Sequence, residues 1–128
     1  MAEELRVTVD VGSIIPISEQ IRAQIADLVR TGSLTQGTRL PTVRDLATDL
    51  GISVNTVNKA YAELERQGLT ASRRRAGTLV TGNTAPSTDT SRTRAAAKHL
   101  AESARAEGVD EETAIAILKE ALREAGHA

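Results

Sequence analysis

Residues 37–80 read GTRLPTVRDLATDLGISVNTVNKAYAELERQGLTASRRRAGTLV, and the rest of the chain is arranged around them. Pro41 stops whatever precedes it, and Thr42 is then a good N-cap with Asp45 in the capping-box position three residues on. Val43, Leu46, Ala47 and Leu50 follow at helical spacing, and Gly51 ends the run where a left-handed residue is cheapest. Ile52 plugs the angle before Ser53, the cap of the next helix. That helix repeats the apolar stripe with Val57, Ala60, Tyr61 and Leu64 and closes at Gly68. Leu69–Ser72 and Thr78–Val80 then have the length and composition of two short paired strands, with Arg73, Arg74, Arg75, Ala76 and Gly77 between them.

Helix, tight turn, longer helix and basic hairpin make the layout of a winged helix-turn-helix, a module that lays its second helix in the DNA major groove. Val54, Asn55, Thr56, Asn58 and Lys59 lie near the start of that helix, off the Val57/Tyr61/Leu64 stripe. Small polar residues with one cation fit a groove and hydrogen-bond to base edges. They also add to the partial positive charge of a helix N-terminus near phosphates. Ser, Asn and Thr favour any helix start, so this helix alone does not separate a recognition surface from a solvated one. The hairpin does: three consecutive arginines at this offset from two angled helices point to a phosphate or minor-groove contact.

The residues that carry a family resemblance are PISEQIRAQI (16–25), LPTVRDLATDLGISVNTVNKAYAELERQGL (40–69) and RRRAGTLV (73–80). They resemble the DNA-binding domain of GntR-type bacterial transcription regulators over roughly the first two-thirds of the chain. One departure is Arg75, where that family usually carries a glycine. The resemblance implies an extended arm before the first helix and a DNA contact from Arg44, with Arg39 on the other side of Pro41. Without it, Arg44 reads as a partner for Asp45 or Asp49.

The flanks fill in the plan. Leu5, Val7, Val9 and Val11 alternate with Arg6, Thr8 and Asp10, so residues 1–12 read as a short strand or extended arm. Pro16 opens a helix whose buried face is Ile17, Ile21, Ile25, Leu28 and Val29, with Gly32 after its end. Residues 81–93, TGNTAPSTDTSRT, hold almost no large apolar side chain and read as a linker. Beyond it come an Ala-rich helix from about Arg94 to Glu107 and a second helix capped by Asp110, with Ala114, Ile115, Leu118, Ala121 and Leu122 as its stripe and Ile117 beside it. Two such helices bury too little alone. They are expected to pair with a second copy, through Leu100, Ile115, Leu118 and Leu122, or to fold back on their own domain.

Composition excludes several classes. There is no cysteine, which removes disulfides, thiol catalysis and zinc-thiolate sites and suits a reducing cytoplasm. No apolar run approaches the about 20 residues of a membrane span, and the start carries no signal-peptide pattern, so no membrane partner is expected. One Tyr with no Phe or Trp leaves an aliphatic core and no stacking platform for single strands. His99 and His127 have no partners in a metal-ligand pattern, and no phosphate-binding loop or nucleophile motif is present. No catalytic residue, metal or cofactor is therefore expected. The net charge of −1 divides unevenly. Arg39–Arg75 holds seven cations against four carboxylates, a balance of +3, and Thr93–Ala128 holds five against seven, a balance of −2.

The expected architecture is mainly α with a small β-wing: a winged helix-turn-helix over 1–82, a linker over 83–93 and a two-helix dimerisation tail over 94–128. A tail of that size resembles the YtrA-type subgroup, whose short C-terminal part serves mainly for dimerisation and which often regulates neighbouring transporter genes. The expected function is sequence-specific binding of double-stranded DNA by a homodimer on a palindromic operator, with repression as the output. The contacts are assigned to Arg39, Arg44, Ser53, Val54, Asn55, Thr56, Asn58 and Lys59, and to Arg73, Arg74, Arg75 and Gly77 on the wing. A small-molecule effector, of unknown identity, would have to sit where the Ile115, Leu118 and Leu122 faces of two subunits meet. The alternative is a winged-helix protein-interaction module that binds no DNA. Such a module would show an exposed apolar patch in place of the polar helix start and the wing arginines.

Overall fold

Pro16 has no N–H to leave unsatisfied, and its carbonyl accepts from the amides of Glu19 and Gln20, which starts helix α1 (Ile17–Arg30). The computed structural model describes residues 5–82 and 90–126. After α1 come α2 (Val43–Leu50), α3 (Val54–Arg66), strands β1 (Thr70–Arg73) and β2 (Gly77–Val80), then α4 (Ser91–Glu107) and α5 (Glu111–Ala125). The chain falls into two compact units, Met1–Pro86 and Ser87–Ala128.

The first unit is built on one aliphatic core. Ile21, Ile25 and Val29 of α1, Leu46 of α2, Val57 and Leu64 of α3 and Val80 of β2 are all buried in it. The Thr42 side chain accepts from the amide of Asp45, and Ser53 accepts from that of Thr56, so both expected caps are formed. Gly51 takes φ +70° between them, and the amide of Ile52 reaches back to the Ala47 carbonyl. This closes α2 and turns the chain sharply into α3. Tyr61 is buried, and its hydroxyl donates to the carbonyl of Pro41, just ahead of α2, at 2.8 Å. That burial raises the pKa of its phenol well above the ordinary value.

The arm holds by a different device from a strand ladder. The Gln24 side-chain amide accepts from the Thr8 N–H (3.1 Å) and donates to the Thr8 carbonyl (2.6 Å). Gln20 does the same at Asp10 (2.8 and 3.0 Å). Val7 is buried, with Leu5 and Val9 packed on the core. The alternation fails at Val11, which is 80% exposed. Asp10 explains this: its carboxylate and carbonyl accept from Gly12 and Ser13, turning the chain outward one residue earlier.

The wing pairs antiparallel in the register Thr70↔Val80, Ala71↔Leu79, Ser72↔Thr78 and Arg73↔Gly77. Arg73 and Gly77 are thus strand residues, and only Arg74, Arg75 and Ala76 form the turn. Residues 37–40 add a third extended segment beside β2. Gly37 donates to the Val80 carbonyl, Val80 to Thr38 and Leu40 to Thr78, around an Arg39↔Leu79 bridge. The sequence showed only that this segment was extended.

In the second unit α4 and α5 pack as a hairpin. Gly108 ends α4 in the left-handed region, and the Asp110 side chain caps α5 by accepting from the Thr113 amide at 2.9 Å. Leu100, Ser103, Ala104, Val109 and Ala114 are half-buried. Helix α4 starts at Ser91, so residues 91–93 are helical instead of linker. The Arg94 amide donates to the Thr90 carbonyl, and its Nε to the Thr90 hydroxyl at 3.2 Å, which extends the helix back through the short polar residues. Most of the expected linker, residues 83–89, lies outside the described residues, as does His127.

Candidate nucleic-acid interface

Helix α3 divides cleanly. Val57, Ala60, Tyr61 and Leu64 face the core, and Asn55, Asn58 and Lys59 are exposed on the other side. The first amides of a helix have no intrahelical acceptor, so the exposed side chains stand beside free donors and a positive helix end. Ser53 and Thr56 are partly used up: the Ser53 hydroxyl accepts from the Thr56 amide (3.1 Å), and the two hydroxyls share a hydrogen bond (2.8 Å). Val54, at 44% exposure, leaves two methyl groups at the mouth of the helix.

The cations come from three elements. Arg44 is on the exposed face of α2 and Arg39 on the extended segment beside β2. Arg73, Arg74 and Arg75 are exposed at the wing tip. Gly77 turns the wing with φ +81°, and a Cβ there would come within 3.1 Å of Arg39 Nε. Glycine at 77 therefore both permits the turn and makes room for the Arg39 guanidinium. No residue other than glycine has positive φ among the described residues, so Arg75 holds its place in the turn without left-handed strain.

None of these cations is spent on a carboxylate among the described residues. Among the described residues the ion pairs are Arg22–Glu19, at 2.5 Å, and Arg66–Glu63. In each, the arginine hydrogen bond lowers the glutamate's pKa. Arg39, Arg44, Lys59, Arg73, Arg74 and Arg75 have no carboxylate partner among the described residues. The alternative use of Arg44, a bridge to Asp45 or Asp49, is not made. Unpaired cations on an exposed face beside a polar helix start can neutralise phosphates while side chains reach base edges. The described residues hold no cluster of three His, Cys, Asp or Glu suited to a metal, and no helix long and apolar enough to cross a membrane.

A family model for bacterial regulatory proteins of the gntR family matches residues 17–80, half of the chain. The chain belongs to the GntR family. The matched part of this GntR chain runs from the start of α1 to the end of β2 and so contains every residue of the interface described above. The HTH-type transcriptional regulator Rv1152 of Mycobacterium tuberculosis is 51% identical over 76 residues, 59% of this chain and 61% of that protein. The HTH-type transcriptional repressor YtrA of Bacillus subtilis is 43% identical over 77 residues, 60% of this chain and 59% of that one. The match thus spans about three-fifths of the length of these curated relatives. The crystal structure of AraR(DBD) in complex with operator ORX1 superposes with a TM-score of 0.53 at 27% identity, covering 62% of this chain and 99% of that one.

One residue at this site escaped sequence reading. Glu65, on the last turn of α3, accepts from both the amide and the hydroxyl of Ser72 in the wing. On the sequence it is one of four helix-surface carboxylates, and its partner is fixed only by the angle between helix and hairpin. In the second unit Ile115 (45%), Leu118 (44%) and Leu122 (62%) are exposed, while Leu100 is half-buried.

Proposed function

We propose that this GntR-family chain is a sequence-specific DNA-binding transcriptional regulator acting in the cytoplasm. It works as a homodimer, with residues 1–82 binding DNA and residues 94–128 joining two copies. The observation that carries the reading is the set of six unpaired cations flanking the polar start of α3. Each copy lays the first turns of α3 in a major groove. Asn55 suits the paired donor and acceptor of an adenine edge, Val54 suits a thymine methyl, and Thr56, Asn58 and Lys59 reach neighbouring bases or phosphates. Arg39, Arg44 and Ser53 hold the backbone, and Arg73, Arg74 and Arg75 reach a flanking phosphate or minor groove from the turn set by Gly77.

A two-fold dimer reads a palindrome with half-sites about one helical turn apart or a multiple of it. Occupying such a site near a promoter blocks polymerase, and a relative named as a repressor supports repression as the output. The test is fluorescence anisotropy of duplexes selected from a random pool, against scrambled duplexes of equal length, across a salt series. The expected result is a strong preference that survives moderate salt. Swapping thymine for deoxyuridine opposite Val54 should weaken the wild type and leave Val54→Ala unchanged. Equal binding to every duplex would reduce the chain to a nonspecific cation, and no binding at low salt would favour a protein partner.

A further inference from the structure

We propose that Glu65 is a positioning residue that locks the wing to the recognition helix, so that base contacts from α3 and phosphate contacts from the wing are made at one fixed spacing. The inference rests on the DNA-binding reading above. Glu65 Oε1 accepts from the Ser72 backbone amide at 3.1 Å and from the Ser72 hydroxyl at 3.0 Å. Ser72 lies one register pair before Arg73↔Gly77, directly below the turn that carries Arg74 and Arg75.

The base of the hairpin is fixed by other means. Leu69 donates to the Leu64 carbonyl, Thr81 and Gly82 both donate to Leu69, and Thr70 and Val80 are buried. Above that base, residues 72–76 are exposed. Among the described residues the Glu65–Ser72 pair is the one side-chain hydrogen-bond link from α3 to the wing. Two-stranded hairpins are marginal on their own, so a charge-assisted tie near the tip has a large effect on where the tip points.

The charge of Glu65 argues for the same role. A carboxylate beside a phosphate-binding surface repels what that surface binds. An arginine partner would account for it, but Arg66 is taken by Glu63, and Arg73–Arg75 pair with no carboxylate. What Glu65 does hold is the wing.

The test uses the full chain with Glu65→Ala, Glu65→Gln and a triple Arg73→Ala, Arg74→Ala, Arg75→Ala variant. In the free protein, amide relaxation of the wing should show residues 72–77 loosening in Glu65→Ala and returning towards wild type in Glu65→Gln, which keeps an acceptor oxygen. On a selected duplex, Glu65→Ala should lose about tenfold in affinity, the worth of one to two hydrogen bonds. The slope of log K on log salt should flatten as phosphate contacts drop out. Preference among duplexes altered at the Asn55 position should persist, and the triple-arginine variant should lose nothing more when Glu65→Ala is added. An unchanged thermal melt confirms that the fold is kept. The proposal is overturned by a wing equally ordered in Glu65→Ala, by tighter binding with a steeper slope, or by the same loss in the triple-arginine background. A wild type that selects no duplex overturns the DNA reading and this inference together; a wild type that selects one, with Glu65→Ala unaffected, overturns this inference alone.

Discussion

The two units of this chain build helices with the same devices and end in different states. Ser53 caps α3 and Asp110 caps α5 through the same bond, a side-chain oxygen accepting from the amide three residues on. Gly51 ends α2 and Gly108 ends α4 in the same left-handed conformation. Yet α1, α2 and α3 all contribute buried residues, while α4 and α5 contribute none. Local signals make a helix, and burial makes a domain. The second unit has the first and lacks the second, and Ile115, Ile117, Leu118 and Leu122 stand exposed on α5.

The largest effect should come from breaking the first unit where it is best packed. Leu64 is 0% exposed, and Leu64→Ala is expected to cost about 2–5 kcal/mol in a denaturant melt. Leu122→Ala, at an exposed position, should leave that melt unchanged. A cost at Leu64 below about 1 kcal/mol would mean that the core relaxes into the gap. The second unit breaks by charge instead. For the homodimer proposed above, Leu118→Glu with Leu122→Glu should convert the dimer to a monomer in sedimentation and leave the melt of the winged unit in place. Operator affinity should fall by roughly 100-fold as two linked half-site contacts become independent. A double variant that still sediments as a dimer places the interface elsewhere.

A smaller effect comes from a cap. Ser53→Ala removes the α3 cap and should cost about 1 kcal/mol. It also frees the Thr56 hydroxyl from its 2.8 Å partner, so base preference should shift as well as stability. A change in stability with no change in preference would remove Thr56 from the interface.

Sequence reading went furthest where one residue type has one physical use. Pro41, Thr42, Gly51 and Ser53 are punctuation, and the two helices they bound lie where expected. The polar start of α3 followed from its apolar stripe, because what is off the core face must be on the other. The reading stopped where partners come from distant segments. The pairing of residues 37–40 with β2, the Gln20 and Gln24 hold on the arm and the Glu65–Ser72 tie each depend on the angle between elements, which periodicity does not encode. Ser91–Thr93 were misread for a related reason. Short polar residues suit a linker and a helix's first turn equally, and the bonds from Arg94 to Thr90 decide between them.

The smallest effect separates the units by pH. The caps of the winged unit are hydroxyls, which do not titrate, whereas the cap of α5 is a carboxylate. Hydrogen bonds from the Thr113 side chain and amide hold the pKa of Asp110 below its ordinary 3.8. A lowered folded pKa means that the cap's contribution is complete above the ordinary value and disappears as pH falls through the folded one. Helicity of the second unit should therefore decline as the pH falls below 3.8. Glu19 and Glu63 have lowered values as well, through Arg22 and Arg66, so the winged unit also weakens in acid. The informative quantity is the difference between wild type and Asp110→Asn, followed by circular dichroism of the full chain. Asparagine caps without titrating, so the variant should keep the acid dependence of the winged unit and lose that of α5. Identical curves for the two proteins would show that α5 owes nothing measurable to its cap.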